Sequence, residues 1–113
     1  MGHWIAAALP VLPGQSDRVR NFAAEIEPHL EEFERLNREA TVTRYANWLQ
    51  RTPTGDVEIV VMEADDPSKI RTSFTDSAYD RWWLGYLQDV HGVDMTAPDP
   101  PSAAPMVWEW RAG

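Results

Sequence analysis

Three histidines are the only side chains of this 113-residue chain that titrate near neutral pH without help, and cysteine is absent. The missing thiol excludes a disulfide scaffold, thiolate catalysis, iron–sulfur ligation and Cys-type zinc sites. Of the histidines, His91 has the most suggestive neighbours. It follows the stripe Trp82, Trp83, Tyr86 and Val90 and precedes Gly92, so it stands beside an aromatic wall and is the candidate general base. The competing reading is a helix-end cap, where the helix dipole favours an imidazolium by about 0.3–1 kcal/mol. His29, beside Pro28 on a charged helix, reads as a surface residue, and His3 as part of the terminus. No short metal-ligand spacing links the three, so no metal and no cofactor are expected; a haem with one axial histidine needs no spacing rule and stays as an alternative.

Tyr45, Trp48, Tyr79, Trp82, Trp83 and Tyr86 are candidate ligand-binding residues, and Trp108 and Trp110 add to the aromatic density. Such side chains bury large areas yet carry a polar donor, so they serve a core, a subunit contact or the flat walls of an aromatic-ligand pocket. Trp82 and Trp83 diverge by about 100° on a helix, so they face different surroundings. Asn47 shares its strand parity with Tyr45 and is the candidate stabiliser of a developing anion. No carboxylate pair, glycine-rich phosphate loop, nucleophile elbow or Ser-His-Asp arrangement is visible, which lowers hydrolase and nucleotide-dependent readings. Asp80 is explained as the acid of a capping box opened by Ser77, and Asp65 and Asp66 by capping ahead of Pro67.

These residues need elements to position them. Trp4 to Leu9, stopped by Pro10, Pro13 and Gly14, reads as a first strand. From Ser16 or Asp17, good N-caps, apolar residues recur at helical spacing through Leu36, with a kink expected near Glu27 because Pro28 cannot donate to the helix ladder. Glu31 with Arg35 and Glu34 with Arg38 are i,i+4 pairs on its outer face. Thr41 to Gln50 and Asp56 to Ala64 flank the turn Thr52-Pro53-Thr54-Gly55 and form a hairpin. If Arg51 opposes Asp56, then Tyr45 faces Met62, Asn47 faces Val60, Trp48 faces Ile59, and Arg44 faces Glu63 as an ion pair. Asp66-Pro67 opens a short helix through Ile70 and Phe74; Ser77 starts a second, which Gly92 ends in the left-handed conformation with Val93 packing after it. Asp94 to Pro105 contains four prolines and reads as an extended loop placed to close over a cleft. Met106 to Arg111 reads as the last strand.

The chain is the length of one domain. A composition of 43% hydrophobic and 25% charged residues is that of a packed globule. Ten basic against eighteen acidic residues leave a formal charge of −8, which repels phosphate backbones and anionic lipid, so neither nucleic acid nor membrane is an expected partner. No apolar run approaches a membrane span and the first residues lack the basic start of a signal peptide, so a cytoplasmic location is the expectation.

The element order strand, helix, strand, strand, helix, strand is an α+β arrangement, the ferredoxin-like βαββαβ with a four-stranded antiparallel sheet, in a single domain over residues 1–113. Both strand parities are apolar, while two helices cover one face only. The open face calls for a second copy, giving a homodimer with sheets packed face to face. In this order of elements, and in Glu63-Ala64-Asp65-Asp66-Pro67, Ser77-Ala78-Tyr79-Asp80-Arg81-Trp82-Trp83 and Val90-His91-Gly92-Val93-Asp94, the chain resembles the dimeric α+β barrel superfamily and, within it, small uncharacterised actinobacterial proteins. The superfamily includes antibiotic-biosynthesis-type monooxygenases and polyketide cyclases. The resemblance implies the fold, a dimeric barrel; the aromatic residues with His91 and Asn47 point to a small aromatic or hydrophobic ligand and to a cofactor-independent monooxygenase or cyclase, the alternatives being a non-catalytic ligand-binding or structural dimer and a haem-binding barrel.

Overall fold

The computed structural model describes residues 2–71 and 73–113. Three strands, β1 (His3–Pro10), β2 (Val42–Thr52) and β3 (Gly55–Ala64), form an antiparallel sheet of order β1-β3-β2. The hairpin has the register expected from its turn: Arg51 pairs with Asp56, Trp48 with Ile59, Asn47 with Val60 and Tyr45 with Met62. Pro53 and Thr54 alone separate the strands, and Gly55 takes the positive φ of 132° that the tight reversal requires. Arg44 and Glu63 are opposed as predicted, but they close no ion pair. A register shift between Val42 and Arg44 leaves Thr43 as a bulge, and the Thr43 hydroxyl donates to the Glu63 carbonyl.

The four-stranded ferredoxin-like sheet, and with it the barrel expected from it, is not what the chain forms. Met106 to Arg111 makes no strand. Just before this segment the chain meets the sheet through one antiparallel bridge, Ala6 to Ala104, in which the Ala104 amide donates to the Ala6 carbonyl at 2.8 Å. Pro105 follows at once and has no N–H to continue a ladder. Beyond it Val107 and Trp108 are 94% and 78% exposed, so no packing replaces the missing hydrogen bonds. The fold is an α+β arrangement with one three-stranded sheet.

The long helix predicted from Ser16 to Leu36 is broken twice, into α1 (Ser16–Arg20), α2 (Phe22–Ile26) and α3 (Leu30–Glu39). The second break is the foreseen one, a 3-10 turn at Glu27–His29 around Pro28. The first, at Asn21, was not foreseen. Nor does Ser16 cap the helix: it is the first helical residue, and its hydroxyl donates to Asp56 at 2.6 Å, tying α1 to the start of β3. On α3, Arg38 pairs with Glu34, but Arg35 takes Glu32 and Glu39 in place of Glu31. The Asp66-Pro67 helix is shorter than predicted: Asp66 caps a single 3-10 turn, Pro67–Lys69.

Helix α4 (Ala78–His91) has the expected ends. The Ser77 hydroxyl accepts from the Asp80 amide, and Gly92 closes the helix at φ 67° while the Val93 amide donates to the Leu87 carbonyl. Helices and sheet meet at a small core of Val11, Val19, Phe22, Ile26, Tyr86 and Val90. The strand faces divide as the alternation requires. Ile5, Ala7, Leu9, Tyr45, Glu58, Val60 and Met62 line the helix side, whereas Trp4 and Trp48, both exposed, lie on the opposite parity. No helix among the described residues is long and apolar enough to cross a membrane.

Candidate functional site

The helices do not fill the inner face of the sheet. Between Ile5, Ala7, Leu9, Val60 and Met62 on one side and Phe33, Tyr79, Trp83 and Tyr86 on the other lies a cavity of about 570 Å³. Its roof comes from two irregular stretches, Ile70, Arg71 and Phe74 after the 3-10 turn and Met95 with Pro100 to Ala103 of the proline-rich segment. The predicted closing loop thus lies over a real space, of the size that small-molecule sites occupy.

One carboxylate stands in this apolar lining. Glu58, in the central strand β3, is 2% exposed and belongs to the cavity wall. A buried carboxylate is costly unless its lone pairs find donors, and here three arrive. Asn47 Nδ2 donates to Oε2 at 2.8 Å, the Tyr86 hydroxyl donates to Oε1 at 3.3 Å, and His91 Nε2 meets Oε1 at 2.8 Å. On the other side of the ring, His91 Nδ1 lies 2.7 Å from the Pro10 carbonyl, an oxygen that only accepts, so Nδ1 carries a hydrogen. The Nε2 to Oε1 contact therefore holds a single proton, and the Glu58–His91 pair is neutral whichever partner bears it. An ionised carboxylate offers about four acceptor positions. Three are taken, which leaves one on Oε2 for a donor in the cavity.

This changes the roles assigned to His91 and Asn47. His91 is buried as hoped, 3% exposed, but both nitrogens are engaged within the protein and the ring does not reach the cavity. It orients Glu58, and Glu58 is the group a ligand would meet. Nor is His91 free to serve as an axial haem ligand. His29 stacks on Trp82 at 4.9 Å, so it is not the plain surface residue expected. Among the described residues, no group of three or more His, Asp or Glu side chains is placed to hold a metal ion. Asn47 spends its amide on Glu58 and lines a separate open groove between α1, α2 and β2, about 450 Å³ in volume.

The aromatic candidates divide. Tyr45, Tyr79, Trp83 and Tyr86 line the main cavity, Trp83 stacking on Tyr86 with parallel rings 5.7 Å apart. Trp82 does not line the cavity; it stacks on His29 but still touches Trp83, their ring centroids 5.5 Å apart, so the expected divergence of these helix neighbours is only partial. Trp48, on the outer parity of β2, is absent from the main cavity and borders the second groove with Asn47. Tyr45 touches both spaces and meets Phe33 edge-on at 5.3 Å. Burial, with the Glu58 charge as the second cause, pushes the Tyr45 and Tyr86 phenols well above their ordinary range, so both remain protonated donors.

At the roof, Asp80 is 1% exposed and accepts a two-pronged contact from the Arg71 guanidinium together with the amide and hydroxyl of Thr75. Arg71 foremost, and Thr75 with it, hold this carboxyl well below the usual carboxylate range. Asp80 is thus no reciprocal capping-box acid. It takes the Ser77 cap on its own amide and uses its side chain to hold the roof segment against α4. Neither Glu58 nor this clasp was among the residues singled out from sequence. Glu58 had a readable signal, a charged residue on the helix-facing parity of a strand whose alternate positions Val60 and Met62 are apolar. The chain matches no known protein-family model and no curated protein sequence.

Proposed function

We propose that the chain binds a small hydrophobic or aromatic ligand in the aromatic-walled cavity above β1 and β3 and uses Glu58 as proton acceptor. The observation that carries this reading is the position of Glu58: a buried carboxylate, the one acid in the wall of a largely apolar space, with one acceptor position unfilled and a histidine behind it. Proton abstraction there would move charge without creating any net amount. The ligand becomes an anion as Glu58 becomes neutral, and the imidazolium form of His91 balances the anion. A carbon acid activated in this way is the starting point for ring closure on a second carbonyl of the same molecule, or for oxygenation with dioxygen as the oxidant, so cyclase and cofactor-independent monooxygenase are the reaction classes. A non-catalytic binder would share the cavity and lack turnover.

We propose further that the outer sheet face is covered by a second copy of the chain. Trp4 and Trp48 lie on that face. Sedimentation at micromolar concentration checks this: a dimer, reduced to monomer by Trp48→Glu, is the expected result, and a stable wild-type monomer refutes it.

The ligand site is tested by titrating naphthalene against tryptophan fluorescence. Ala7→Phe fills the cavity from β1 and should abolish saturable binding while the far-ultraviolet spectrum is kept. Equal binding by wild type and Ala7→Phe would place the hydrophobic site elsewhere.

A further inference from the structure

Two phenols of the cavity wall, Tyr45 and Tyr79, make no side-chain hydrogen bond among the described residues, and Tyr45 is the one that stands on the sheet beside Glu58 and feels its charge. Its ring belongs to the cavity wall, on the same face of the sheet as Glu58, and packs against Phe22 and Phe33. Its hydroxyl makes no hydrogen bond among the described residues, whereas the Tyr86 hydroxyl is committed to Glu58 and the Asn47 amide likewise. Buried polar groups ordinarily find partners, and the side-chain atoms fully shut off from solvent here all do. The Tyr45 hydroxyl is therefore not sealed off: it opens onto accessible space, where its unpaired donor can meet an oxygen that arrives with the ligand.

We infer that Tyr45 is a further catalytic residue, the hydrogen-bond donor to an oxyanion formed as Glu58 takes a proton, and that the substrate class is a hydrophobic carbonyl compound with an acidic C–H next to the carbonyl. This rests on the ligand-site reading above and names what that site recognises. In the step, the C–H bond breaks and its proton goes to Glu58 Oε2. The bonding pair forms a carbon–carbon double bond, and the carbonyl pair moves onto oxygen, giving an enolate that accepts from the Tyr45 hydroxyl. Asn47, the anion stabiliser expected from sequence, gives one amide hydrogen to Glu58 and lines the separate groove, not this cavity, so the part falls to Tyr45 here. The neighbouring Tyr79, also in the cavity wall, supplies no bond to Tyr45, so the two phenols do not quench each other.

The probe is 2-naphthol, whose hydroxyl gives its proton to an acceptor while its oxygen takes a bond from a donor, as an enolate would. Wild-type protein should bind 2-naphthol at least tenfold more tightly than naphthalene and than 2-methoxynaphthalene, which has no proton to give. Tyr45→Phe removes a single oxygen. It should weaken 2-naphthol at least fivefold and leave naphthalene within twofold. The inference is overturned if Tyr45→Phe leaves the 2-naphthol affinity unchanged, or weakens both probes equally. Should that variant not fold, the wild-type comparison decides: 2-methoxynaphthalene binding as tightly as 2-naphthol overturns it. If naphthalene itself does not bind the wild type, the ligand-site reading falls first, a result distinct from failure at Tyr45.

Discussion

Replacing His91 by alanine removes the support of Glu58 and a partner of the chain at Pro10 in one step. The carboxylate loses its 2.8 Å contact with Nε2 and the Pro10 carbonyl its 2.7 Å donor, while a cavity opens between α4 and the end of β1. Breaking a buried charge pair by removing one partner costs about 3–5 kcal/mol, because the other is left uncompensated. The unpaired carbonyl falls within the same disturbance, so we take about 4 kcal/mol for the whole, against a domain stability of about 5–15 kcal/mol. At a urea slope of about 1.5 kcal/mol/M the unfolding midpoint should fall by roughly 2–3 M. His91→Phe keeps the ring volume and removes both hydrogen bonds, and should show most of that loss, since the cost is chiefly electrostatic. Ligand affinity should fall in both variants, through the displaced carboxylate. Equilibrium urea unfolding followed by tryptophan fluorescence measures the stabilities. A midpoint shift below about 0.5 M in His91→Ala would refute the reasoning, because a ring that can be deleted so cheaply cannot be holding a buried carboxylate in place.

Two other perturbations probe the frame around the site. Asp80 has its carboxyl held below the ordinary range of about 4 by Arg71, so its contribution to stability is complete above that range and is lost as pH falls through it toward the lower folded value. Asp80→Asn should be less stable at pH 7 and should lose less further stability than wild type between pH 4 and pH 2 in urea titrations; parallel pH profiles would contradict this. Gly92→Ala places a Cβ in a left-handed residue, where it meets Leu12 at an ordinary 3.5 Å, so the cost is backbone strain of about 1 kcal/mol and a melting temperature lower by about 4 °C. No measurable change would mean that the α4 cap relaxes freely.

Much of the frame was readable because local chemistry decided it. The Pro53 turn determined the hairpin register, and Ser77 and Gly92 determined the ends of α4, all within a few residues of chain. What escaped depended on partners far away in sequence. The carboxylate of Asp80 was assigned to a cap three residues distant, yet it is held by Arg71 across a turn that no periodicity announces. Glu58 becomes meaningful only when His91, 33 positions on, folds back against it. The missing last strand failed for a related reason. Val107, Trp108 and Trp110 have the composition of a strand, but a strand exists only where a neighbour accepts its hydrogen bonds, and Pro105 interrupts the pairing where it begins.

The proline-rich roof gives the cavity a clock as well as a boundary. From the Gly92 cap to Ala104 the chain crosses the opening, and at its far end one backbone hydrogen bond, Ala104 to Ala6, holds it to β1. A single such bond contributes about 1 kcal/mol, roughly a fivefold bias, so the latch opens often compared with the unfolding of the sheet beneath it. Prolines 98, 100, 101 and 105 restrict the segment's backbone, so once released it would move as a stiff flap with little entropy gained. Exchange of a bound molecule would then follow the rate of this latch, and residence time would be set at Ala104 while affinity is set at Glu58.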